Sequence, residues 1–232
     1  MTVRRCGLTA VLILLTTGAL FASQEPRHGR LFPPEDLGVL EGPDRDAWQM
    51  PDAVMDALRI ADGTRVADIG AGGGWFTVRL ARRVGPNGLV YAQDVQPQML
   101  EAIRRRVNRE GLKNVRTVKG EPADPRLAAG SVEAILVVEA YGEFPNAPAL
   151  LGHLAAALTP GGRLGVIDSR KGGGGPGPLA DERVDEDRVI REAEAAGLRL
   201  IRRETFLRYQ YFLVFERSPI ATAESRELPH RR

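Results

Sequence analysis

The stretch Val66-Ala67-Asp68-Ile69-Gly70-Ala71-Gly72-Gly73-Gly74-Trp75-Phe76 decides the fold. Arg65 to Ile69 reads as a strand, apolar apart from its first residue and one internal acid, that lies buried in a sheet. Gly70, Gly72 and Gly74 follow at a spacing that lets the backbone turn sharply and approach a ligand with no Cβ in the way. Trp75 then opens a helix that runs to Val84. The turn therefore ends at a helix N-terminus, the place where an α/β protein holds a nucleotide-like ligand.

Outward from this turn, apolar runs and turn residues alternate. Leu89-Val90-Tyr91-Ala92 is a second strand ending in Gln93-Asp94-Val95, and Pro97 to Asn108 is a helix with Met99, Leu100, Ile103 and Val107 on one side. Val115 to Val118 is a third strand. Val132 to Val138 is almost continuously apolar, as a central parallel strand covered on both faces must be. Ala149 to Leu158 is helical, Thr159-Pro160-Gly161-Gly162 a turn, and Arg163 to Asp168 the fifth strand. The segment Lys171 to Pro178 carries five glycines and two prolines and should be mobile or moulded on a partner. A charged helix over about residues 185–196 precedes two closing strands, Arg199–Thr205 and Tyr211–Glu216, close enough to pair antiparallel. Five β-then-α units and a strand pair make an α/β sandwich with its ligands at the carboxyl ends of the strands. Asp68, Asp94, Glu121, Glu139 and Asp168 fall at five such ends.

At 232 residues the chain suits one domain with appendages. Its 32 basic and 30 acidic residues nearly cancel, so composition makes no case for a nucleic-acid-binding surface. Residues 1–22 are a different material: Arg4 and Arg5, then an apolar run from Gly7 to Ala22, then Ser23-Gln24-Glu25-Pro26. That is the pattern of a secretory signal peptide. The run is shorter than the about 20 apolar residues of a spanning helix, which leaves a short anchor as the second choice. Cleavage after Ala22 would leave no membrane span and an exported, periplasmic protein; a misassigned start codon would leave it cytoplasmic. Cleavage would also remove Cys6, the only cysteine, and with it disulfides, thiolate catalysis and Cys-based metal sites. Residues 23–46, rich in Pro, Gly and charge, read as an extended linker draped over a domain at 47–217, and the polar residues 218–232 as a disordered tail.

Asp94 lies 20 residues beyond Gly74. An acceptor-only carboxylate at this distance from the turn takes hydrogen bonds from the cis hydroxyls of a ribose. It marks an adenosine site without choosing between NAD and S-adenosylmethionine. Asp68 makes the choice, because an acid beside the turn repels a pyrophosphate and suits the ammonium of a methionine moiety. A NAD-linked oxidoreductase is left as a distant alternative.

The same residues resemble the class I S-adenosylmethionine-dependent methyltransferases. Val66 to Gly74 is similar to that family's first motif, Ala92-Gln93-Asp94-Val95 to its second-strand acid, and Leu158-Thr159-Pro160-Gly161-Gly162-Arg163-Leu164 to its turn into the fifth strand. More narrowly, Arg45-Asp46-Ala47-Trp48-Gln49-Met50-Pro51, Asp124-Pro125-Arg126-Leu127 and the run from Phe206 to Phe215 resemble a bacterial, often signal-bearing group of undefined substrate. The resemblance covers Trp48 to Glu216. It implies an α/β fold with a seven-stranded, mostly parallel Rossmann-like sheet, helices on both faces and an antiparallel last strand. It also implies S-adenosyl-L-methionine as cofactor and methyl transfer to a small-molecule acceptor. Asp68 and the backbone of Gly70, Gly72 and Gly74 would hold the methionine end, Asp94 the ribose, Val95 the adenine face, and Glu121 or Asp124 the adenine amino group. Glu139 and Tyr141 would line the floor under the sulfonium, with Trp48 and Gln49 closing over the cofactor.

Two departures stand out. Where relatives carry a histidine after the fourth strand, this chain reads Tyr141-Gly142-Glu143, and the segment after the fifth strand lacks one too. Tyr141 and Glu143 remain as the groups that would take a proton there, since His153 falls inside a helix. Methyl transfer needs mainly in-line approach to an activated sulfonium, so a missing histidine does not forbid it. The alternative is a degenerate S-adenosylmethionine-binding protein without turnover.

Overall fold

The computed structural model describes residues 30–218. The expected leader with its cleavage site, and the tail beyond Ser218, lie outside the described residues. Strands β1 (Arg65–Ile69), β2 (Leu89–Asp94), β3 (Val115–Lys119), β4 (Val132–Val138), β5 (Leu158–Ser169), β6 (Leu198–Glu204) and β7 (Gln210–Arg217) form one sheet in the order β3-β2-β1-β4-β5-β7-β6. β1 to β5 are mutually parallel. β7 inserts between β5 and β6 and runs antiparallel to both. The strand order reverses between β1 and β4, and that switch point opens a crevice at their carboxyl ends.

Helices cover both faces: α1 (Arg45–Gln49), α2 (Pro51–Ala57), α3 (Trp75–Val84), α4 (Pro97–Arg109), α5 (Ala147–Ala157) and α6 (Glu186–Ala195). β7 shows why two layers are needed. Its side chains alternate, so Phe212 and Val214 pack with Leu58, Phe76 and Leu80, while Leu213 and Phe215 pack with Leu151, Leu154 and Val189. A strand buried this way on both sides has no polar face left to show water.

Three expectations need correction. No helix separates β3 from β4, because Pro122 and Pro125 withhold backbone donors and the Glu121–Asp124 bridge closes a turn instead. β5 starts at Leu158 and not at Arg163: Leu158 pairs with Val132 and Arg163 with Ala134, so the Thr-Pro-Gly-Gly turn is absorbed as an irregularity in the ladder. Of the expected extended linker, residues 30–46 are described and are not uniformly extended, since Pro34–Glu41 is a 3-10 helix and α1 straddles the boundary at residue 46. Ion pairs hold this segment down: Arg79 binds Asp46 from α3, and Arg106 binds Glu41 from α4.

Gly165 lets β5 pass beneath the α2 face. A Cβ there would stand 2.9 Å from both Leu58 and Phe212 side-chain atoms, closer than van der Waals contact allows. Gly165→Ala should therefore lower stability by about 1–3 kcal/mol through overpacking. Urea unfolding checks this as a lower midpoint with an unchanged slope.

Candidate active site

The glycine turn is held by its neighbours on both sides. Gly70, Gly72 and Gly74 sit at φ of 66°, 53° and 79°, a region that other residues rarely enter. A Cβ on Gly70 would lie 2.6 Å from the Cβ of Ala140, so only glycine lets the turn meet the end of β4. On the other side, Gly70 N donates to Gln93 Oε1 at 3.3 Å and Gly72 N donates to Asp94 Oδ2 at 3.0 Å. Gln96 N donates to Asp94 Oδ1 at 2.9 Å. The Asp94 carboxylate is thus fixed from two sides, with a lone pair on each oxygen still to offer.

Asp68 is 3% exposed and accepts from Thr77 Oγ1 at 2.6 Å. Burial pushes its carboxyl up to about 6, against the Thr77 bond and the nearby Arg45 charge. Burial also raises Asp94.

A cavity of about 810 Å³ opens from the turn across the crevice. Of the residues expected at a site, Asp68, Gly70, Gly72, Asp94, Val95, Glu121, Glu139 and Glu143 reach its wall, and so does Trp48. Gly74 stands behind the wall as the N-cap of α3. Three more do not reach it. Asp124 is turned into its own loop, where Oδ1 accepts from Arg126 N at 2.8 Å. Gln49 is wholly buried and donates to Gln210 Oε1 at 2.7 Å. Tyr141 is 2% exposed, and its hydroxyl donates to Glu192 Oε2 on α6 at 2.5 Å. Burial first, then that carboxylate, raises the phenol, and the hydroxyl is engaged by α6 and not by the cavity.

Glu143 keeps its place. Its Oε2 accepts from Phe32 N at 3.2 Å, while Gln96 Nε2 donates to Phe32 O at 3.0 Å. Residues 30–33 are thereby strapped across the cavity. Burial pushes the Glu143 carboxyl up to about 7.

Sequence reasoning missed several groups. Arg45 lies 4.3 Å from the Trp75 ring centre, within electrostatic reach of Glu139 and Asp68, and burial lowers it to about 10. The stretch from Arg45 to Pro51 drew attention only as a likeness, and nothing local to it announces a contact with Trp75, thirty residues on. Glu139 was noticed, but not its company: Oε1 accepts from Ser169 Oγ at 2.7 Å and from Gln210 Nε2 at 2.5 Å, which ties the ends of β4, β5 and β7 together. Asp168, also on the wall, is raised well above the usual carboxylate range by burial and by Glu139. The glycine-rich segment after β5 is moulded from within. Arg183, 6% exposed, donates to the carbonyls of Pro178, Arg170 and Gly173 and leaves Pro176 to Pro178 against the cavity.

Comparison with known proteins follows the same residues. A family described as a methyltransferase domain matches residues 66–162. The nocamycin O-methyltransferase of Saccharothrix syringae is 32% identical over 113 residues, 49% of this chain and 40% of that protein. The protein-L-isoaspartate O-methyltransferase of Methanothrix thermoacetophila is 28% identical over 152 residues, 61% of this chain and 69% of its own. The chain thus spans as little as 40% of the length of the relatives it matches. A SAM-dependent methyltransferase from Aquifex aeolicus superposes with a TM-score of 0.76 at 30% identity, over 79% of this chain and 98% of its own. A likeness of that depth, running almost the full length of the Aquifex protein, places the chain in the S-adenosylmethionine-dependent methyltransferases, with S-adenosylmethionine as its cofactor.

Proposed function

We propose that this protein transfers the methyl group of S-adenosylmethionine to a small-molecule acceptor bound in the same cavity. The carrying observation is that the cavity continues beyond the glycine turn to Glu143, Phe144 and Leu150, at the upper end of the size range of small-molecule sites. That extension leaves room for a second ligand beside the first.

The residues present fit the cofactor. The turn offers backbone that a Cβ would block, Asp94 has lone pairs free for ribose hydroxyls, and acids suit a ligand carrying a sulfonium and an ammonium. Asp68 and the turn would hold the methionine end and Asp94 the ribose. Val95 and Pro122 offer apolar surface to the adenine, and Pro122 brings no N–H to its ring. When bound, the cofactor supplies an already activated methyl group. The chain's own work is then to orient the acceptor, exclude water with the strap at residues 30–33, and take up any proton released. Glu143, held near neutrality by burial, is matched to that last task.

Calorimetry tests the reading. S-adenosylmethionine and S-adenosylhomocysteine should both bind and NADH should not; Asp94→Ala should weaken both by about tenfold or more while the circular dichroism stays unchanged. Binding of NADH in their place would sink the proposal, and methyl release over a panel of acceptors separates an enzyme from a silent binder.

Glu143 gives a pH signature with a definite sign. Its carboxyl rises from 4.5 to about 7 on folding, so the stability it contributes is complete below about 4.5 and is lost as pH climbs through about 7. Glu143→Gln should gain on the wild type over that window, by on the order of 2 kcal/mol at pH 8 relative to pH 4. Parallel denaturant titrations at the two pH values measure it.

The leader pattern of residues 1–22 adds a proposal about place, that the reaction is run by an exported, periplasmic protein. N-terminal sequencing of the protein from fractionated cells should find Ser23 first.

A further inference from the structure

We infer that the methyl acceptor is an amphiphile, whose reacting head sits beside Glu143 and whose hydrocarbon tail leaves the cavity over an apolar rim. The inference rests on the methyl-transfer reading above and names the acceptor class it left open.

The distribution of exposed hydrocarbon is the first argument. Among the described residues the exposed large apolar side chains are Leu31, Val39, Met50 and Leu179. Single exposed apolar residues are ordinary, whereas a gathering of them at one opening marks a binding surface. Leu31 and Val39 are exposed and also stand on the cavity wall, which puts them at its mouth. Leu179 follows Pro178, itself on that wall. Met50 alone of the four neither lines the cavity nor adjoins a residue that does.

Connectivity is the second argument, because it brings Leu31 and Leu179 to the surroundings of Glu143 by separate routes. Phe32 N donates to Glu143 Oε2 at 3.2 Å, which carries the neighbouring Leu31 to that carboxyl. From α6's side of the cavity, Glu182 N donates to Leu179 O at 2.9 Å, and a Cβ on Gly142 would stand 3.6 Å from Glu182 O. Deeper in, Phe32, Phe144 and Leu150 line the wall, so a ligand reaching from Leu150 to the rim meets hydrocarbon at both ends of its path.

The rim is also fixed in advance. Arg183 holds the carbonyls of Pro178 and Gly173, and Phe32 is tied to Glu143 on one side and to Gln96 on the other. Little ordering is left for a ligand to impose. An acceptor enclosed whole would leave these apolar side chains in water, and a polyhydroxylated one would gain nothing from them. A tail laid across them removes apolar surface from both partners, each methylene so buried being worth up to about fourfold in affinity.

One head on tails of three lengths tests this: 4-methylphenol, 4-butylphenol and 4-hexylphenol, titrated calorimetrically into protein saturated with S-adenosylhomocysteine. Affinity should rise by about twofold or more per added methylene through to the hexyl chain, at one site per protein. Leu31→Ser, and separately Leu179→Ser, should each weaken 4-hexylphenol by about threefold or more and leave 4-methylphenol unchanged. Both side chains are exposed, and an unaltered S-adenosylhomocysteine affinity certifies that the variants fold. An affinity that is level or falls with chain length, a 4-hexylphenol that does not bind, hexyl affinity indifferent to both substitutions, or an equal loss for 4-methylphenol overturns the inference alone. Failure of S-adenosylhomocysteine to bind the unaltered protein overturns the methyltransferase reading as well.

Discussion

The rest of the structure depends on one close approach, the contact between Gly70 and Ala140. β1 and β4 are neighbours whose connections leave on opposite sides, so their carboxyl ends must separate into a crevice and yet stay packed at its floor. A side chain at residue 70 would force them apart. With hydrogen in its place the turn closes on Ala140, and the Gly72 amide comes within 3.0 Å of Asp94. Asp94 is therefore positioned by the same backbone that forms the turn. The ends of β1 and β2 are tied together through the Gly70–Gln93 and Gly72–Asp94 hydrogen bonds.

Electrostatics impose a second demand, since a cavity rich in carboxyls resists folding. The acids are dispersed among different kinds of partner. Asp68 leans on the Thr77 hydroxyl, Asp94 on two backbone amides, Glu143 on the Phe32 amide, and Glu139 on Ser169 and Gln210. Most of these are neutral donors, which restrain a carboxylate without cancelling its charge. Arg45 brings a cation to the cavity wall and is seated 4.3 Å from the Trp75 ring centre. Arg79, 3.4 Å from the same ring, is neutralised from outside by Asp46. The aromatic ring thus serves as the seat for charge at the mouth of α3.

How much of this could be read in advance follows from how local each signal is. β1, the glycine turn, α3 and the apolar side of α4 were legible because pattern and spacing within a dozen residues specify them. Asp94 was legible for the same reason, being a fixed distance along the chain from the turn. Tyr141 was misread because the sequence placed it correctly after β4 but could not tell which way a three-residue helical turn would aim it; Glu192, fifty-one residues away, decides that. Asp124 was misread because Arg126, two residues on, recruits it into a tight loop. Arg45 and the strap at residues 30–33 were invisible since their partners, Trp75, Gln96 and Glu143, are brought to them only by the finished fold.

The segment after β5 has a further meaning. Its glycines carry no side chains that could organise it, and the ordering comes from Arg183, which enters from the far end and gathers three of its carbonyls. Arg183 is joined in this by the Tyr209 ring and Ser169, which pack where Cβ atoms on Gly175 and Gly177 would stand. A side chain at Gly175 would meet the Tyr209 ring and one at Gly177 would meet Ser169 Oγ on β5, so among these glycines only Gly174 combines open space with an ordinary φ. Both walls of the cavity therefore obey one rule, that backbone comes close where no Cβ stands in its way, at Gly70 against Ala140 and at Gly177 against Ser169.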